Sequence, residues 1–253
     1  MKSPQEVIIA HRGESYEAPE NTLGAISLAW EKGVRAVEID IQLTADNEIV
    51  VIHDKDTFRV TGHKLVIRRS LLKDLTGLPI TTNRGEKWKK ESIPLLREVL
   101  KTVPEGRKLI IEIKSNANIL EKLKEELHQS GAKDSQIELI SFDAQVIGRA
   151  KQMMPYYKML LLLDLDYYLP WWLVWVNKQT IIRKIRLMNL DGVDVWAGKM
   201  LNNQFISAFK NAGLLIYSWT VNDPGAAKKL LNYNIDGITT DRAAWMLNQL
   251  SKS

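Results

Sequence analysis

Short apolar runs, recurring along the 253 residues, constrain the fold of this chain more than any other feature. They are Val7–Ala10, Ala36–Gln42, Leu109–Ile113, Ile137–Ile140, Met159–Leu163, Val193–Trp196, Leu214–Ser218 and Gly237–Ile238. Most are rich in Val, Ile or Leu, and runs of that length and composition read as buried strands. Amphipathic segments separate most of them: Leu23–Trp30, Ile119–Gln129, Gln145–Met154, Gln204–Asn211 and Ala226–Asn232. Ile93–Leu100 reads as a further helix, with Pro94 in the first turn, where its missing N–H has no helical partner. Alternating strands and helices predict an α/β fold, and eight such units in about 250 residues predict a (β/α)8 TIM barrel. No Pro-, Gly- or Ser-rich linker and no internal repeat divides the chain, so residues 1–253 are expected to form a single barrel domain.

Three motifs sit at strand ends: His11-Arg12-Gly13, Glu38-Ile39-Asp40 and His53-Asp54. Strand side chains alternate between faces, so Glu38 and Asp40 share one face and repel unless a cation or a proton lies between them. The polar segment Thr44–Glu48 reads as a turn to a second apolar run, Ile49–Ile52. Antiparallel pairing across that turn sets Leu43 against Ile49 and brings His53 level with Ile39, beside the two acids. Glu112 and Lys114 repeat the same-face spacing on a later strand. In a barrel of this kind the site lies where strands end and loops leave for the helices, and all these residues fall there.

Three acids in a chain with no cysteine make a hard oxygen site, suited to Mg²⁺ or Ca²⁺. The competing reading, buried ion pairs with Arg12 and Lys114, leaves the histidines idle. Two of only four histidines, His11 and His53, flank the acids, and imidazole titrates near neutral pH, which suits paired acid and base roles. Arg12 offers a planar fork and Lys114 a point charge to an anionic oxygen.

With Pro19-Glu20-Asn21-Thr22, Ser141-Phe142, Trp219-Thr220-Val221 and Asp236-Gly237-Ile238 added in order, the chain resembles the glycerophosphodiester phosphodiesterase family over nearly its whole length. The resemblance implies metal-dependent hydrolysis of a glycerophosphodiester to glycerol 3-phosphate and an alcohol. It implies a divalent cation on Glu38, Asp40 and Glu112, and places Glu20 and Asn21 near the mouth. It also implies that residues 54–92 are an insertion after the second strand, and that Trp219 lies against the glycerol or headgroup. Core packing is the alternative for Trp219, and helix capping for Asn21. Asp54 either orients His53 or caps a turn, and Asn222 reads as turn chemistry. Two other functions compete: lysophospholipase D-type cleavage of a lysophospholipid, and a barrel that binds phosphate esters or membrane without turnover.

A formal charge of +5 with scattered basic residues fits a small anionic molecule or lipid headgroup rather than nucleic acid. Only Met1–Glu6 precede the first strand, leaving no room for a signal peptide, so a cytoplasmic location is expected. Asp164–Val176 is longer and more aromatic than the family pattern, and the basic stretch Lys178–Met188 follows it. Ten apolar or aromatic residues interrupted by Pro170 are too few to cross a bilayer. Packing as a lid, an apolar wall for a lipid chain, and peripheral membrane contact through residues 167–188 are the three readings of this region.

Overall fold

A computed structural model of the chain describes residues 2–81, 84–165 and 178–252. Most of the Trp-rich segment therefore lies outside the described residues. Nine strands form one sheet: β1 (Ile8–His11), β2 (Ala36–Leu43), β3 (Ile49–Val51), β4 (Lys108–Ile113), β5 (Ile137–Ser141), β6 (Lys158–Leu163), β7 (Gly192–Trp196), β8 (Leu215–Trp219) and β9 (Gly237–Thr240). All neighbours except β2 and β3 pair in parallel, and β1 pairs with both β2 and β9, so eight strands close into a barrel. The architecture is the (β/α)8 barrel that the strand count implies. The hairpin register also follows the reading, with Leu43 opposite Ile49 and Ile41 opposite Val51.

Alternation along each strand divides the barrel into two apolar regions. Val37, Ile39 and Ile41 of β2 and Leu109, Ile111 and Ile113 of β4 face outward into the layer under the helices. Ile9, Ala36, Ile110, Ile140, Leu160, Leu162 and Tyr217 fill the barrel axis. Positions two residues beyond these inward side chains reach the C-terminal rim, which is how His11, Glu112 and Trp219 come to lie there. Gly192 allows β7 to approach β8, since a Cβ at that position would sit 2.1 Å from the Leu215 carbonyl oxygen.

Between β3 and β4, short helices at Phe58–Thr61 and Leu72–Thr76 pack a separate apolar cluster of Val50, Ile52, Ile67, Leu75, Ile93 and Leu95. The helix expected over Ile93–Leu100 covers only Leu96–Leu100, and Pro94 is outside it. Residues preceding proline favour extended backbone. Leu95 pairs with Val50 in an isolated antiparallel bridge, and the Pro94 carbonyl accepts from the Val51 amide at 2.9 Å. The segment thus extends the hairpin edge before it turns helical. Lys178–Leu187 forms the helix its amphipathic pattern implies, and no helix among the described residues is long and apolar enough to cross a membrane.

Candidate active site

The rim is built from side chains two apart on three adjacent strands. His11 is level with Glu38, and Asp40 with Glu112, so the acids form a compact patch. One carboxylate oxygen from each of Glu38, Asp40 and Glu112 lies within 4.8 Å of the others. Glu38 and Asp40 are 4% and 1% exposed, so water does little to screen their repulsion. The backbone that follows β1 is bent to serve them. Arg12 has φ 57° and its amide donates to Glu38 Oε2 at 3.1 Å. Gly13 follows at φ +80°, and a Cβ there would fall 2.6 Å from the Ala25 backbone. A left-handed Arg costs free energy that only the surrounding contacts can offset.

Asn21 also has a positive φ, 58°, and does not cap the helix. Thr22 does, its side chain accepting from the Ala25 amide at 3.1 Å. Asn21 instead clasps Asp40, donating to Oδ2 at 2.8 Å and accepting from the Asp40 amide at 3.1 Å. Asp40 also meets Arg12 Nε at 3.2 Å and Lys114 Nζ at 3.5 Å. Lys114 Nζ is closer still to Glu112, at 2.9 Å from Oε1.

These contacts divide the charge unequally. Burial raises the Asp40 pKa, but Arg12 and Lys114 together outweigh it and hold the carboxyl below its usual range. Glu38 is pushed well up by burial and then by Asp40 and Glu112. Glu112 is pushed up to about 7, chiefly by burial and then by Asp40, with Lys114 opposing. The patch therefore holds more buried carboxyl than its two cations can neutralise.

Each histidine is held from behind by a carboxylate. His53 Nδ1 lies 2.7 Å from Asp54 Oδ1, the orienting arrangement rather than a turn cap. Arg59 takes the other Asp54 oxygen and also bridges to Glu20, which pairs with Arg12 at 2.8 Å. Gln42 secures the chain at this point by donating to the carbonyls of Ile52, His53 and Asp54. His11 Nδ1 lies 2.6 Å from Asp241 Oδ1, and Asn222 donates to Asp241 Oδ2 at 2.6 Å. Burial, reinforced by Arg12 and Lys114 against the pull of Asp40, brings the His53 pKa below its usual value.

Both imidazoles open on a cavity of about 100 Å³, lined also by Arg12, Glu38, Glu112 and Lys114. Its other wall is apolar, formed by Ile140, Phe142, Leu162 and Trp219. Trp219 is flanked edge-on by Phe142 at 5.5 Å and Trp196 at 5.0 Å between centroids. Larger grooves lie elsewhere on the surface, but among the described residues it is this small one that collects both candidate histidines.

A model of the glycerophosphoryl diester phosphodiesterase family matches residues 11–244. The chain belongs to this family of phosphoric diester hydrolases. It is 27% identical over 250 residues to a glycerophosphodiester phosphodiesterase of Caldanaerobacter subterraneus, covering 97% of this chain and 98% of that one. Among solved structures, it resembles an Oleispira antarctica phosphodiesterase in complex with the product sn-glycerol-3-phosphate, with TM-score 0.86 and 26% identity over the full length of both. A glycerophosphodiester phosphodiesterase of Thermotoga maritima is similar at TM-score 0.76 and 25% identity, over 96% of this chain and 97% of that one.

The acid patch suits a divalent cation on its own evidence. Asp40 Oδ1 is buried without a hydrogen-bond partner among the described residues, the donors are all carboxylate oxygens, and no thiol is available. Every candidate residue read from the sequence, His11, Arg12, Glu38, Asp40, His53, Glu112, Lys114 and Trp219, is at this rim. Neighbours not read as parts of it include Asp241, Asn222, Phe142 and Asp194. Asp241 follows β9 directly, and a strand reading carried beyond Ile238 through the β-branched Thr239-Thr240 exposes it as a rim acid. Asn222 reads locally as a turn residue, but the cap of the following helix is Asp223, which leaves Asn222 free to hold Asp241.

Proposed function

We infer that this enzyme hydrolyses a glycerophosphodiester to glycerol 3-phosphate and an alcohol by paired-histidine catalysis, with Glu38, Asp40 and Glu112 holding Mg²⁺ or Ca²⁺. The carrying observation is that His11 and His53 open on one cavity with three clustered carboxylates and two cationic side chains. When bound, the cation supplies Lewis-acid stabilisation of negative charge on the phosphoryl oxygens. Arg12 and Lys114 add their charges to the same oxygens, where negative charge accumulates as the bonds exchange.

The surroundings of the histidines divide their roles. Arg59 shares the charge of Asp54, and burial favours neutral His53, so His53 is suited to accept the proton of the nucleophile. Among the described residues Asp241 meets the neutral Asn222 amide, and no cation, at its second oxygen, so its charge is available to His11. His11 is then the group that protonates the departing alcohol. Trp219 and Phe142 offer an apolar surface to the carbon skeleton of the substrate.

Choline release from glycerophosphocholine tests this reading. His11→Ala and His53→Ala should each lower kcat by about 10²- to 10⁴-fold without lowering the melting temperature. Unchanged turnover in both variants would refute the assignment and favour a barrel that binds without catalysing. Phe142 and Trp196 are 43% and 38% exposed at the mouth, which supports lysophospholipids as a second substrate class. Activity on lysophosphatidylcholine alone would make that the substrate.

A further inference from the structure

The floor of the cavity holds a carboxyl group that none of the roles above employs. Asp194 is the middle residue of β7, level with Leu162 on one side and Tyr217 on the other, and it lines the cavity while only 2% exposed. Its Oδ1 is buried without a hydrogen-bond partner among the described residues. The other acids inside the barrel all have partners. Glu38 has the Arg12 amide, Asp40 has Asn21, Glu112 has Lys114, and Glu138 has Lys108 and Tyr217. The charged groups that act on Asp194 are Glu112 and Glu138, both acidic. Buried polar groups are costly without partners, and such an exception calls for an occupant that supplies one.

We propose that Asp194 is a specificity residue that binds a free hydroxyl of the glycerol moiety at the floor of the cavity. This rests on the phosphodiesterase reading of the same site. A hydroxyl can donate to a carboxylate, or accept from a protonated acid, so either form of Asp194 serves. Around it Ile140 and Leu162 offer only hydrocarbon, and Thr239 is the other polar residue lining the cavity away from the charged rim. A polyol matches that division, with its oxygens toward Asp194 and the charged rim and its C–H edge toward the apolar wall. A cavity of about 100 Å³ has room for more than one water and so for a small polar fragment.

The test crosses variants with substrates. Wild type, Asp194→Asn and Asp194→Ala are assayed for kcat/KM on glycerophosphocholine and on the phosphocholine diesters of propane-1,2-diol and propane-1,3-diol, each lacking one glycerol hydroxyl. Wild type should lose roughly 10- to 100-fold on one of the two analogues. Asp194→Ala should fall by a similar factor on glycerophosphocholine and be indifferent to that hydroxyl, while Asp194→Asn, which still hydrogen-bonds, recovers much of the discrimination. Both variants should melt no lower than wild type, since no partner is lost. The proposal is overturned if Asp194→Ala discriminates as wild type does, or if it weakens all three substrates equally. A wild type inert toward glycerophosphocholine would overturn the functional reading itself and this inference with it.

Discussion

The two ends of the barrel treat buried carboxylates in opposite ways. At the N-terminal end Asp236, with its side chain 2% exposed, meets Lys210 at 2.6 Å and Lys2 at 2.9 Å, and Glu138 meets Lys108 at 2.6 Å and the Tyr217 hydroxyl at 2.7 Å. The half-buried Asp191 there has Lys151 at 2.7 Å and the Met159 amide at 2.8 Å. At the C-terminal end Glu38, Asp40 and Glu112 share Arg12 and Lys114, and the Asp40 and Asp194 Oδ1 atoms have no hydrogen-bond partner among the described residues. Acids that stabilise the fold are neutralised by it. Acids left short of positive charge destabilise the free protein and are retained at the end where ligands enter, consistent with the usual division of a TIM barrel into a stabilising face and a catalytic one.

Chelation is the largest perturbation that can break this contrast. EDTA should remove activity by more than about 10³-fold, with recovery on adding Mg²⁺ or Ca²⁺. It should leave secondary structure by circular dichroism intact, because the N-terminal acids need no ion. Full turnover in a metal-free sample would mean that Arg12 and Lys114 suffice at the rim.

Next in size is Asp236→Asn, expected to cost roughly 2–4 kcal/mol in urea denaturation at pH 7 by leaving two lysines without their buried partner. Its kcat/KM should stay within about twofold of wild type, whereas a change in activity with no change in stability would reverse the assignment of the two ends. Burial raises the Asp236 pKa, but Lys210 and Lys2 outweigh it and lower the value. Its contribution is therefore present above the unfolded value of about 3.9 and lost as pH falls through the folded one.

The smallest effect has the opposite sign. Burial, followed by Glu112 and Glu138, pushes the Asp194 pKa well above its usual value, so the folded state keeps a proton that the unfolded state has lost. Its cost thus grows as pH rises above about 3.9. Asp194→Asn should stabilise by roughly 1 kcal/mol at pH 8, with the gain vanishing toward pH 4. Melting curves at the two pH values give the sign directly, and a gain that increases on acidification would sink the argument.

Much of this was legible in the residues, and the misses have physical causes. The alternation Ala-Val-Glu-Ile-Asp-Ile-Gln-Leu in β2 already says that Glu38, Asp40 and Gln42 face together. Val193-Asp194-Val195 carries the same signal on β7, but a single acid between two valines attracts less notice than a pair. Asn21 was ambiguous because the residue types that cap helices also hold carboxylates, and only its φ and the position of Asp40 separate the two uses. Pro94 misled because its tolerance in a first helical turn is local, whereas its pairing with β3 is not.

By itself, the sequence determined the number of strands and which residues on each share a face, since a two-residue period is a property of extended backbone wherever it occurs. Only the tertiary structure decided which faces meet: His11 and Asp241 are 230 residues apart, and barrel closure puts them 2.6 Å apart. It also decided the charge state of each group, because a pKa depends on burial and on neighbours through space, neither of which is written in the order of the chain.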